Sequence, residues 1–131
     1  MAKAVIFSKV YRAEFSAALS KLQAEKILVD FLNSVAEPLA HNQIILGHLK
    51  MVAKVPETQE FLFLSLTRLD QTDVKKSNDW TCSEANEIRW MDIDLNVLVF
   101  KHSRVKVEMV VQSALRKLLR QSQGRLTDRS G

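Results

Sequence analysis

The chain has 131 residues, 47% apolar and 26% charged, with three glycines, two prolines and a formal charge of +4. This is the length of one domain, large enough to bury a core without disulfide or metal staples, and the composition excludes a disordered or collagen-like chain. No apolar run approaches the roughly 20 residues of a spanning helix, and "MAKAVIFSKVYRAEF" runs into charges without a small-residue cleavage pattern, so neither a membrane anchor nor a signal peptide is expected.

The single cysteine, Cys82, has no internal partner for a disulfide. It reads as a small apolar side chain in a reducing, cytoplasmic setting. The positive charge is uneven: residues 101–131 hold eight Lys and Arg against Glu108 and Asp128, whereas residues 1–100 hold eleven against thirteen carboxylates. Such a basic end is either a solvated helix face with a loose tail or an attraction for polyanions.

In chain order, residues 3–11 fit a strand through Val5, Phe7 and Tyr11, or a helix through Ile6, Val10 and Ala13, and the helix is preferred. Residues 12–36 read as an amphipathic helix with Phe15, Leu19, Leu22, Ile27, Phe31 and Val35 on one stripe, stopped by Pro38. From Gln43 the period becomes two. "QIILGHLKMVAKV" and "EFLFLSLTRLD" flank the polar connector "PETQ" as an antiparallel hairpin, with Val55 opposite Glu60, Ala53 opposite Leu62, Met51 opposite Leu64 and Leu49 opposite Leu66. Gly47, isolated in a strand pattern, marks a bulge or a close backbone approach. Residues 70–87 form a long polar excursion pinned by a buried Trp80. A third strand covers roughly 88–101. Ser103 then offers an N-cap for a helix over 104–121, although Val105, Val107 and Met109 also alternate and would suit a fourth strand.

The expected fold is therefore α+β in two layers: an antiparallel sheet of three strands, or four, with N- and C-terminal helices packed on one face. Residues 1–121 make a single domain and residues 122–131 a flexible basic tail.

Three constellations carry candidate chemistry. From residue 91 to 99 the odd positions are apolar, while Asp92, Asp94 and Asn96 share the other face. Asp92 and Asp94 are weak metal candidates that need a third ligand such as His48 or His102; a wet face is the expected reading, and no metal or other cofactor is assigned. His48 and Lys50, opposite Thr67 and Ser65, form a candidate anion or ligand patch. Phe61, Phe63, Trp90 and Phe100 fall on one sheet face, suited to self-association or to stacking of nucleic-acid bases. No nucleophile elbow, zinc-protease helix, phosphate loop, dinucleotide fingerprint or CxxC is present, so no catalytic residue is assigned. The leading expectation is a small cytoplasmic, non-enzymatic binding or assembly module that forms a homo-oligomer, a dimer, through the aromatic face. The alternative is a protein that binds nucleic acid or another polyanion through that face and a basic end comprising Arg116, Lys117, Arg120, Arg125 and Arg129. A small metal-dependent hydrolase is the weakest reading.

Overall fold

The computed structural model describes residues 3–80 and 86–130. Cys82, and the reading of its burial, lies outside them. In chain order the elements are β1 (Ala4–Ser20), α1 (Lys21–Ala36), a 3-10 turn (Glu37–Leu39), β2 (Ile44–Val55), β3 (Glu60–Arg68), β4 (Asp73–Lys76), β5 (Asn86–Phe100), α2 (Arg104–Ser122) and β6 (Gly124–Asp128). The strands form one antiparallel sheet in the order β4-β3-β2-β5-β1-β6. Among the described residues no helix is long and apolar enough to cross a membrane.

The sheet has six strands, not the three or four expected, and three segments account for the difference. Residues 4–20, expected as helix, are a strand. Phe7, Tyr11 and Ala13 turn inward while Ile6, Ser8 and Glu14 turn out, a period of two. Pairing with β5 over residues 4–14 outweighs the helical preference of the alanines that follow. The helix starts at Lys21 instead of Arg12, capped by Ser20. The Ser20 Oγ accepts from the Gln23 N–H at 3.0 Å, and the Gln23 Oε1 accepts from the Ser20 N–H at 2.9 Å, a reciprocal capping box. Leu22, assigned to the buried stripe, is exposed, and Leu28, Phe31, Leu32 and Val35 face the core. The other two additions are short edge strands. β4 lies inside the polar excursion and pairs with β3, and β6, in the segment expected as tail, pairs with β1.

The hairpin register agrees pair for pair with the alternation, from Val55 opposite Glu60 to Leu49 opposite Leu66. Residues 104–110 are helical. The Ser103 Oγ accepts from the Lys106 N–H at 3.1 Å, and Val107, Val111, Ala114, Leu115 and Leu118 are buried. Trp80 is buried as well. Both helices cover the face of the sheet that carries Leu49, Met51, Leu62, Leu64 and the odd residues of β5 from Met91 to Val99, closing a single apolar core.

Two contacts hold the corners of this arrangement. At Gly47, φ is +133°, the β2–β3 ladder shifts register between Ile44 and Leu49, and a Cβ would lie 1.9 Å from the Leu98 carbonyl oxygen. The isolated glycine thus marks both a bulge and a close approach. At the opposite end, Lys21 in the first turn of α1 forms a buried ion pair with Glu60, the first residue of β3, and the Lys21 ammonium lies 5.8 Å from the Trp80 ring centroid. Burial opposes ionisation of Glu60, but hydrogen bonds from Lys21 and Thr58 and the Lys21 charge outweigh it, so its pKa is lowered.

Replacing Gly47 with Ala should destabilise the fold by about 3 kcal/mol or more, because the side chain meets backbone and the backbone is strained. Chemical denaturation measures this, and a loss below about 1 kcal/mol would contradict the close approach. Because the folded Glu60 binds its proton less tightly than the unfolded one, its stabilisation is complete above the ordinary value of 4.5 and is lost as pH falls through the lower folded pKa. Glu60→Gln should cost roughly 3 kcal/mol at neutral pH by leaving Lys21 buried and unpaired. It should also flatten the loss of stability that the wild type shows on acidification below pH 4.5.

Candidate functional site: the open face of the sheet

With both helices on one side, the other face of the sheet has no covering layer among the described residues. Register places its side chains in rows. Ser65, Lys50, Asn96 and Ser8 form one row across β3, β2, β5 and β1. Phe63, Val52, Asp94 and Val10 form the next, followed by Phe61, Lys54, Asp92 and Arg12 with Thr127 of β6 beyond. On the far side of the Ser65 row, Leu98 lies between His48 and Ile6, and Phe100 lies opposite Ala4. A polar belt therefore separates two apolar ends. One contains Ile6, 59% exposed, Leu98 and Phe100, 38% exposed; the other contains Phe61, 42% exposed, Phe63 and Trp90. The four aromatic residues share this face but do not form one cluster. Trp90 and Phe100 are ten residues apart on β5, about 34 Å.

The acidic trio does not behave uniformly. Asp92 is only about a quarter exposed and is gripped by Arg12, with Nε to Oδ1 at 2.9 Å and Nη2 to Oδ2 at 3.2 Å. The hydrogen bond to Asp92 raises the Arg12 pKa, and the guanidinium lies 4.1 Å from the Trp90 ring centroid. A two-pronged Arg–carboxylate pair stacked on an aromatic ring is stiffer than an exposed ion pair. Asp94 and Asn96 are tied locally: the Asn96 Nδ2 donates to Asp94 at 3.1 Å, and the Ser8 Oγ donates to the Asn96 Oδ1 at 2.8 Å. Asp92 thus departs from the expected wet position, because a cation on the strand taken for helix supplies the partner.

The other candidates disperse. Lys50 and Ser65 are cross-strand neighbours, but the register shift falls on the β2 residues before Leu49, and His48 pairs with Leu98 on its other side without a matching pair to Thr67. His102 sits beyond β5, stacked on His41 at 5.1 Å. Its Nε2 donates to the Leu39 carbonyl at 2.9 Å, which requires that nitrogen to carry the proton. It is not near Asp92. Among the described residues no three His, Cys, Asp or Glu side chains gather at metal-binding distance. The basic cluster is divided as well. Arg116, Lys117 and Arg120 are exposed on α2 in the helical layer, whereas Arg125 shares the open face beside Glu14 at 3.9 Å, and Arg129 follows the end of β6. One polyanion strand lying on the aromatic face would not reach the α2 cations.

A second apolar feature escaped the sequence reading. Between the end of α1 and the start of α2 lies a groove of about 400 Å³ lined by Pro38, Val105, Met109 and Val110, with Val105 65% and Met109 66% exposed. Its signal was the alternation of Val105, Val107 and Met109. Once those residues are helical, only Val107 can face the core.

The Arg12–Asp92–Trp90 unit should appear in stability. Arg12→Ala, which loses the ion pair and the stacking together, should lower the melting temperature by roughly 3 °C, Asp92→Ala by less, and Asp94→Ala by almost nothing. A double-mutant cycle between Arg12 and Asp92 should give a coupling of favourable sign; strict additivity would remove the pair from the account. No protein-family model, curated protein or solved structure matches this chain, and what the face does is therefore argued from its own chemistry.

Proposed function

We propose that the protein is a non-enzymatic binding or assembly module that self-associates through the open face of its sheet. The observation that carries this reading is the exposure of Ile6, Phe61 and Phe100 on a six-stranded face that no helix covers. Each apolar end exposes large side chains of the kind that mark interaction sites on protein surfaces, and the polar belt lies between them. Five inter-strand spacings give a width of about 24 Å, and the stretch from Trp90 to Phe100 gives about 34 Å, together roughly 800 Å², the area each partner contributes to a standard interface.

Charge favours a second copy over a polyanion as the occupant. On this face Lys50, Lys54, Lys75, Arg12 and Arg125 stand among Asp73, Asp92, Asp94 and Glu14, so the field is nearly balanced. A balanced, mixed surface suits a self-complementary contact, whereas phosphate recognition calls for a surplus of cations. A cytoplasmic location goes with this reading, on the single cysteine.

Light scattering should find a dimer or larger species at high micromolar concentration, reduced by Phe61→Lys. A monomeric wild type under those conditions would contradict the proposal. Tight binding of a single-stranded oligonucleotide that weakens steeply with salt would give the face to nucleic acid instead.

A further inference from the structure

Among the described residues the sheet is incomplete along the outer side of β1. β6 pairs with β1 only over residues 11–15. Just past it, the Arg129 N–H donates to the Val10 carbonyl at 2.7 Å, and the Val10 N–H donates to the Ser130 Oγ at 2.7 Å. Backbone groups alternate sides along a strand, so if Val10 faces the β6 side, Ser8, Ile6 and Ala4 face it too. Among the described residues the partner found there is Arg104, whose Nη1 donates to the Ile6 carbonyl at 3.1 Å. Among the described residues the Ile6 N–H and both main-chain groups of Ser8 have no hydrogen-bond partner, which leaves them to a further strand.

The two rims of this edge differ in chemistry. On the helix-covered side Arg104 reaches the edge itself, and by the same alternation Lys3 falls on that side with Val5 and Phe7. Neither cation has a carboxylate partner among the described residues, whereas Lys9 is held by Asp128 at 2.8 Å, with Glu108 also close to Lys9. On the open side the edge presents the exposed Ile6 between Ala4 and Ser8. A second copy does not suit this edge: a two-fold axis through Ile6 would bring the two Arg104 side chains together and set Lys3 opposite Lys9.

We propose that residues 4–8 of β1 accept an extended segment of a protein partner as a seventh strand, with side chains that alternate between carboxylates toward Arg104 and Lys3 and apolar groups toward Ile6. Main-chain hydrogen bonds supply the attraction, and the alternation selects the partner. The edge shares Ile6 with the open face, but its main-chain groups and its Arg104 and Lys3 rim lie outside that face.

The test uses capped octapeptides of alternating Glu and Val, or of Lys and Val, added to the full chain. The Glu–Val peptide should bind at least about tenfold more tightly by fluorescence anisotropy and slow hydrogen exchange at the Ile6 and Ser8 amides. Arg104→Ala should narrow the difference between the peptides. Ser8→Pro, which removes an edge-facing N–H without touching the β5 ladder, should abolish binding, and Phe61→Lys on the open face should leave it unchanged. Equal binding of both peptides, or no slowing of those amides in the wild type, would overturn the proposal. Protection of the same amides by rising protein concentration alone would assign the edge to a second copy and overturn it too.

Discussion

Every placement in this molecule depends on the alternation of β5. It is hydrogen-bonded to β1 on one side and β2 on the other, and Met91, Ile93, Leu95, Val97 and Val99 are all buried beneath the helices. A slip of one residue would send those five side chains to the open face and Asp92, Asp94 and Asn96 into the core, at a cost no local interaction offsets. The register is therefore specified by burial. Because β1 and β2 read their positions from β5, the same constraint decides that Arg12 meets Asp92 and that Gly47 passes under the Leu98 carbonyl.

This also explains which parts of the fold were legible. The β2–β3 hairpin combines strict alternation with a short polar connector, so its register follows from local pattern. The helix after Ser103 carries its own cap. β1 was ambiguous because Val5, Ile6, Phe7, Val10 and Tyr11 satisfy periods of two and of about 3.6 equally well, and the decision comes from β5, nearly ninety residues away. One local clue was present: "SKLQ" spells a capping box, which places the helix start at Lys21. The edge strands carry little signal. "DVKK" and "GRLTD" have hardly any apolar alternation, and they are strands because a neighbour offers unpaired backbone.

The candidate site shows the same division. That Phe61, Phe63, Trp90 and Phe100 share a face follows from parity within β3 and β5. Their separation into two ends by a polar belt required the strand order. Arg12 was missed because a residue assigned to a helix is not sought opposite a strand carboxylate. Its pairing makes Asp92 part of a fixed Arg–Trp–carboxylate unit and leaves Lys50 and Lys54 among the exposed cations of a nearly neutral face. The outer edge of β1 is different: Arg104 and Lys3, which have no carboxylate partner among the described residues, stand on one rim and Ile6 on the other. One layer of helices thus leaves two surfaces of distinct chemistry, a broad mixed face and a narrow basic edge.

The central claim is that the uncovered face, and not the helical layer, is where copies of the chain meet. Hydroxyl-radical footprinting across a concentration series tests it at the level of side chains. The account predicts that Phe61 and Phe100 become protected as concentration rises while Val105 and Met109 on α2 keep their reactivity. Protection of Val105 and Met109 with no change at Phe61 and Phe100 would contradict it.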